Sequence, residues 1–288
     1  MRLTLEQMIA YQTDGFVIAR NVLTEADFKP VIDEINAVIE SRAQLLHAAG
    51  KLAELHPNEP FETRLALLYA QCPEIASRMD IYELRGKAMF AFLKNDNLLD
   101  IVECLLGSEL SCNPIQHLRA KQPAKQGLEE NIPWHQDAAV TLEEADASEI
   151  ITFWIPLVDV NDQTGCMHLM PEAFKLGYLK HHADTVGTTI VQELLPHVEP
   201  VIGACNRGDI IIMNKYTPHR SFFNRSNTVR WSLDLRYHKT GAASGRPSFP
   251  SFVVRSKANP DSVLNDHSEW DRLWEQALQQ KAGRMHRV

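Results

Sequence analysis

Apolar residues recur at helical spacing through the first third of the chain and at a spacing of two through much of the remainder, so helices are predicted first and strands after them. Thr4 is placed to cap a helix running to Asp14, with Glu6 and Gln7 in its first turn and Gly15 breaking it. The run Phe16-Val17-Ile18 then reads as a strand. Thr24 opens a second helix, in which Phe28, Val31, Ile32, Ile35, Val38 and Ile39 form one stripe while Glu25, Asp27, Glu34 and Glu40 take other positions. Further helices are predicted between Phe61 and Leu106, with Gly107 near the stop.

Beyond Leu110 the texture changes to short β-rich runs separated by Pro, Gly, Asn and Asp. Strands are predicted over Ile115 to Ala120, Ile150 to Val160, Cys166 to Met170, Asp209 to Met213 and Val229 to Tyr237. Gly127 to Pro133, Thr141 to Glu149 and Gly241 to Pro250 read as loops. Ser268 to Leu278 reads as a helix with Trp270, Leu273, Trp274 and Leu278 on one face, a stripe that packing explains. The predicted fold is mainly β with α: a double-stranded β-helix (jelly roll) backed by N-terminal helices. A single domain over 1–288 is expected, with 1–109 as mainly helical support, 110–240 as the jelly-roll core and 241–288 as a C-terminal extension.

Composition narrows the classes. Hydrophobic residues make up 44% and charged residues 23% of the 288, ordinary globular values that allow a sizeable core. The net charge is -8 and the basic residues are scattered, so no footprint for nucleic acid is present. No stretch approaches the roughly 20 apolar residues of a membrane span, and the first residues lack a leader's apolar core. A soluble, cytoplasmic protein is expected, without nucleic acid or membrane as partner and with a homo-oligomer left open. The five cysteines are odd in number and lack C-x-x-C spacing, which argues against a disulfide framework and a zinc site.

Two segments carry the candidate chemistry. In Pro133-Trp134-His135-Gln136-Asp137, His135 and Asp137 are two apart, and in extended chain such residues project to one side. Imidazole and carboxylate suit Fe(II), and a third ligand from a distant strand would complete one face of an octahedron. Alone, an H-x-D triplet is weak evidence in a chain with 12 histidines. The second segment adds weight: the apolar strand Ile210-Ile211-Ile212-Met213 leads to Pro218-His219-Arg220-Ser221. Arg230 follows in a run that alternates at period two, so Arg230, Ser232, Asp234 and Arg236 share one strand face and Val229, Trp231, Leu233, Leu235 and Tyr237 the other. The polar face is either solvated or lines a barrel interior, where a guanidinium suits a carboxylate through paired charge-assisted hydrogen bonds.

With Asp14-Gly15-Phe16-Val17, Trp134-His135-Gln136-Asp137, Trp154-Ile155-Pro156-Leu157, Asn224-Arg225-Ser226 and Arg230 in this order, the sequence resembles the phytanoyl-CoA dioxygenase-like family of Fe(II)/2-oxoglutarate-dependent oxygenases. The resemblance implies His135, Asp137 and His219 as metal ligands and Arg230 as partner of the distal carboxylate of 2-oxoglutarate. It implies Ser221 as support for that carboxylate, Gln136 and Trp154 as pocket residues, and His117 as a further contact. Trp134 and Arg119 are candidates for contact with substrate. Relatives often add one more basic residue before the first core strand, for which Arg78, Arg85 and Lys87 are candidates. The resemblance breaks at Pro171-Glu172-Ala173-Phe174, where relatives commonly have Pro-Gly-Ser-His, and an altered pocket rim is expected there.

The implied cofactors are Fe(II), with 2-oxoglutarate and O2 as cosubstrates, and the implied activity is hydroxylation of a small-molecule substrate with release of succinate and CO2. No catalytic residue beyond the metal ligands is expected. Halogenating relatives lack the carboxylate ligand, so Asp137 favours hydroxylation; desaturation, epoxidation and cyclisation stay open. Two other readings stand beside this one: a barrel that only binds, and a cupin-like enzyme using its metal as a Lewis acid, in which Arg230 would hold substrate.

Overall fold

The computed structural model describes residues 1–124, 131–184, 187–280, 283–284 and 286–287. The N-terminal region folds as α1 (Leu5–Asp14), β1 (Phe16–Ala19), α2 (Glu25–Ala48), α3 (Phe61–Gln71), α4 (Lys87–Phe92) and α5 (Asp96–Leu106). Thr4 caps α1 through a reciprocal box with Gln7: each side chain accepts from the other residue's backbone N–H, at 2.9 and 3.2 Å. Gly15 ends that helix at φ 82, a conformation that favours glycine. A side chain there would also strike Phe174 and Thr217. Thr24 and Asp27 form the same kind of box at the start of α2.

The strands are β2 (Leu110–Cys112), β3 (His117–Lys121), β4 (Ile132–His135), β5 (Ile150–Pro156), β6 (Met167–Leu169), β7 (His181–Asp184), β8 (Gly187–Ile190), β9 (Val201–Gly203), β10 (Ile210–Asn214), β11 (His219–Ser221), β12 (Arg230–Lys239) and β13 (Phe252–Arg255), followed by α6 (His267–Gln279). The larger sheet has the order β1-β10-β5-β12-β2-β13, with β3 also on β12; the smaller has the order β4-β11-β6-β9; β7 and β8 form a separate hairpin. The pairings are antiparallel. This is the mainly β architecture with backing helices that the pattern predicts, built from two open sheets in jelly-roll arrangement.

Alternation along the strands sorts side chains between two compartments. Trp231, Leu233, Leu235 and Tyr237 of β12, with Ile151, Phe153 and Ile155 of β5, face the helices and pack with Phe28, Ile35, Leu65, Leu68, Leu98, Val102, Trp270 and Trp274. Phe61 stacks on Trp231 with ring centroids 4.8 Å apart. Each large apolar side chain buried here stabilises the fold by about 1.5–3 kcal/mol, which fixes which face of β12 turns inward. The opposite faces look between the sheets, where Trp154, Ile211, Met213, Met167 and Leu169 form a second apolar cluster. Arg230, Ser232, Asp234 and Arg236 necessarily share that side.

Several boundaries differ from the sequence reading. Ile132 and Pro133 open β4 instead of closing a loop, and the earlier part of that predicted loop, 127–130, lies outside the described residues. β13 and the tryptophans of α6 join the main sheet and the helical core, so the C-terminal segment contributes packing. Among the described residues no helix is long and apolar enough to cross a membrane.

Candidate metal centre

β4 and β11 are hydrogen-bonded neighbours, and their register sets His219 opposite His135. The two rings lie 4.1 Å apart, centroid to centroid. Asp137 begins a tight turn directly after β4, and one ligand atom from each of His135, Asp137 and His219 lies within 4.8 Å of the others. Two segments far apart in sequence thus bring two imidazoles and a carboxylate to one point.

Each imidazole is held in the tautomer that a metal needs. His135 Nδ1 lies 2.9 Å from the carbonyl of Pro133, and His219 Nδ1 lies 2.9 Å from that of Thr217. A carbonyl only accepts, so Nδ1 carries the proton and the Nε2 lone pair is free for ligation. Burial, and then the neighbouring His219, drive the His135 pKa down to about 3, which keeps the ring neutral. For Asp137, burial alone would raise the pKa, but the adjacent Arg236 and His219 reverse this and hold the carboxyl well below the usual carboxylate range. Arg236 donates to Oδ1 at 2.6 Å and the Thr152 hydroxyl donates to Oδ2. The carboxylate is ionised and fixed in orientation.

The three residues open onto a cavity of about 230 Å³ whose walls include His117, Arg119, Trp154, Ser221 and Arg230. Arg230 is only 3% exposed and donates one hydrogen bond, from Nη1 to Ser232 Oγ at 2.9 Å, while its Nε has no partner. Burial lowers its pKa to about 10, so the guanidinium stays charged at neutral pH. A buried, charged group with unused donors facing a cavity fits an anionic ligand. The Trp154 ring lies beneath this guanidinium at 5.4 Å. Ser221 Oγ receives the Lys121 ammonium at 2.7 Å. Gly165, at φ 75, passes so close to the Phe222 carbonyl that a Cβ would collide with it, and its own carbonyl lies 3.1 Å from Ser221 Oγ.

The remaining candidates divide. His117 lines the cavity with Nδ1 held 2.8 Å from Asp80, and Arg119 lines it paired to Asp234 at 3.3 Å. Trp134 and Gln136 flank His135 and, by alternation, turn away from the cavity. Trp134 lies under the Arg220 guanidinium at 4.5 Å. The Gln136 amide is used on three backbone groups, donating to Gly177 and Tyr216 and accepting from Leu179.

Arg78, Arg85 and Lys87 do not line the cavity; Arg78 pairs with Glu83 and Arg85 with Asp271. The altered rim expected at Pro171-Glu172-Ala173-Phe174 is also corrected. Glu172, at φ 62, turns the chain toward α1, its N–H bonds the Asp14 carbonyl at 2.9 Å, and Phe174 packs at Gly15, off the cavity. Arg236, Thr152 and Asp80 were not identified as site residues from sequence. Period-two alternation had placed Arg236 on the Arg230 face, which was the available signal.

Among the described residues one other group could ligate a metal: Asp162, Cys166 and His168. There His168 already pairs with Asp162 at 2.8 Å, and burial, followed by Asp162, pushes the Cys166 thiol up to about 12, away from the thiolate a metal requires.

A jelly roll that gathers His-x-Asp and a distant His beside a buried, anion-seeking arginine is the arrangement of a non-haem iron, 2-oxoglutarate-dependent oxygenase. The phytanoyl-CoA dioxygenase (PhyH) family model matches residues 11–232, and the chain belongs to that family. Among solved structures, the non-heme monooxygenase ThoJ in its nickel complex is 19% identical, with a TM-score of 0.58 covering 94% of this chain and 93% of that one. The epimerase SnoN, in complex with Fe3+, alpha ketoglutarate and nogalamycin RO, is 19% identical, with a TM-score of 0.58 over 83% and 84%. The carbocyclase SnoK from nogalamycin biosynthesis is 17% identical, with a TM-score of 0.55 over 92% and 94%. At these identities the likeness is one of fold. No curated protein matches by sequence.

A pH test follows from two further buried histidines. His181 Nε2 accepts the Gln136 N–H at 3.0 Å while Nδ1 faces the Leu179 carbonyl at 2.6 Å, so the folded chain requires the neutral ring. Burial lowers the pKa to about 4 for His181 and about 4 for His238. Between about pH 4 and 6.5 the unfolded chain binds protons that the folded chain refuses, so stability falls as pH falls through that window. From pH 7.5 to 5 each histidine contributes a loss of about 2 kcal/mol. Urea unfolding of metal-free protein at both pH values should show the drop, and His181→Gln with His238→Gln should make it smaller, the remainder including the share of His135, whose pKa burial also lowers. An equal drop in that double variant would refute the assignment.

Proposed function

We propose that this protein hydroxylates an unactivated C–H bond of a small-molecule metabolite, using His135, Asp137 and His219 to hold Fe(II) and Arg230 to hold the distal carboxylate of 2-oxoglutarate. The observation that carries the reading is one cavity containing both a matched ligand trio and a buried arginine with unused donors. Bound iron and 2-oxoglutarate supply the oxidising chemistry, in which O2 is consumed and the oxoacid becomes succinate and CO2. The chain supplies position. Asp137 offers an ionised oxygen whose direction Arg236 and Thr152 set, and the two imidazoles offer fixed Nε2 lone pairs. Val140, Met167 and Met213 give the cavity apolar walls, while Trp154, His117 and Ser221 bound the space for the oxoacid. Arg119, neutralised by Asp234, is a polar contact for substrate. The apolar core running from Leu3 to Trp274 supports treating 1–288 as one domain.

A second outcome at the same centre is epimerisation or ring closure, since similar folds carry an epimerase and a carbocyclase. The intact carboxylate ligand favours hydroxylation over halogenation. A succinate-release screen across acyl-CoA esters, amino acids, phosphonates, alkaloids and terpenoids, with product mass analysis, tests the reading. A compound that stimulates succinate release and gains one oxygen atom as a new hydroxyl supports hydroxylation, and one that gains it across a double bond moves the assignment to epoxidation; a stimulating compound of unchanged mass, or one lighter by two hydrogens, moves the assignment to epimerisation or to cyclisation and desaturation. No oxoacid consumption with any compound would count against the oxygenase reading itself.

A further inference from the structure

The structure contains a basic residue behind the oxoacid pocket that the sequence did not single out. Lys121 on β3 is the direct cross-strand partner of Arg230 on β12. Its ammonium donates to Ser221 Oγ at 2.7 Å, to the Phe222 carbonyl, and at 3.4 Å to the Ser221 carbonyl. An ammonium has donors only. The serine oxygen must therefore accept from Lys121, which leaves the hydroxyl proton to be donated elsewhere.

That proton is donated to the carbonyls of Gly165 at 3.1 Å and Phe222 at 3.3 Å, neutral acceptors with which a carboxylate in the cavity would compete as the stronger one. Ser221 itself lines the cavity with Arg230.

We propose that Lys121 is a positioning residue for the cosubstrate: it compels Ser221 to act as a hydrogen-bond donor toward the carboxylate held by Arg230. The inference rests on the oxygenase reading above. Lys121 takes the part for which Arg78, Arg85 and Lys87 were candidates, and it acts through Ser221.

The test is calorimetric titration of Mn(II)-loaded protein, under argon, with 2-oxoglutarate and with 2-oxopentanoate, the same chain ending in a methyl where the distal carboxylate would be. Lys121→Met should weaken 2-oxoglutarate about tenfold and 2-oxopentanoate less than twofold. Lys121→Arg should restore most of the loss. Ser221→Ala should resemble Lys121→Met, and the double variant should lose little more than either single one, because the two side chains act in series. Equal weakening of both acids, unchanged 2-oxoglutarate binding, or additive losses would overturn the proposal. If wild-type protein binds neither acid the oxygenase reading falls with it; if wild type binds 2-oxoglutarate and Lys121→Met has no effect, only the Lys121 assignment falls.

Discussion

Replacing Arg230 with methionine should raise the 2-oxoglutarate concentration needed for half-saturation about a hundredfold while leaving iron affinity nearly unchanged. The guanidinium is buried, charged and bonded only to Ser232 among its described partners. Removing one partner of a buried, hydrogen-bonded charge pair costs about 2–5 kcal/mol, and each 1.4 kcal/mol is tenfold in affinity. Arg230→Lys should recover only part of this, because an ammonium lacks the planar fork that meets both carboxylate oxygens. The cosubstrate-free protein should behave in the opposite sense. Methionine removes an unpaired buried charge, so its melting temperature should stay level or rise. Oxoacid titrations and thermal melts of the two variants check both halves, and a destabilised Arg230→Met protein with normal 2-oxoglutarate affinity would assign the arginine to the fold.

The second large effect concerns the ligand trio. His219→Ala should lower iron affinity and 2-oxoglutarate turnover more than roughly a thousandfold, since it deletes one of three ligands, whereas Arg236→Met should cost about 10–100-fold, the usual scale for a group that orients a ligand. The ordering is the informative part. Arg236 touches Asp137 at 2.6 Å and would act on the metal through that carboxylate. Equal losses in the two variants would mean that Arg236 has a larger role than orienting the carboxylate.

Much of this site could be read from the chain because the relevant signals are local. His135 and Asp137 are two apart in extended chain, and the alternation from Val229 to Tyr237 separates a core face from a polar face without reference to any other strand. The helix starts at Thr4 and Thr24 are equally local, each being a contact across three residues. What could not be read depends on register between distant strands. Thr152 meets Asp137 because β5 lies beside β12 with Thr152 opposite Arg236, and Lys121 meets Ser221 because β3 pairs with β12 with Lys121 opposite Arg230. Nothing within either segment encodes those offsets. Trp134 and Gln136 teach a different lesson: the resemblance and their place beside His135 nominated them, but the alternation that aims His135 at the cavity turns its neighbours away. The Pro171 to Phe174 segment deviates from its relatives for a reason of packing, with Phe174 lying at the glycine that ends α1.

The central claim is that one ferrous ion and one oxoacid meet in this cavity, and anaerobic absorption spectroscopy tests it most directly. Wild-type protein given Fe(II) and then 2-oxoglutarate should develop a visible metal-to-ligand charge-transfer band that saturates at one oxoacid per chain. His219→Ala should show none, and Arg230→Met should reach the same band only at far higher 2-oxoglutarate. No band in wild type at saturating iron and oxoacid, or an undiminished band in His219→Ala, would contradict the account.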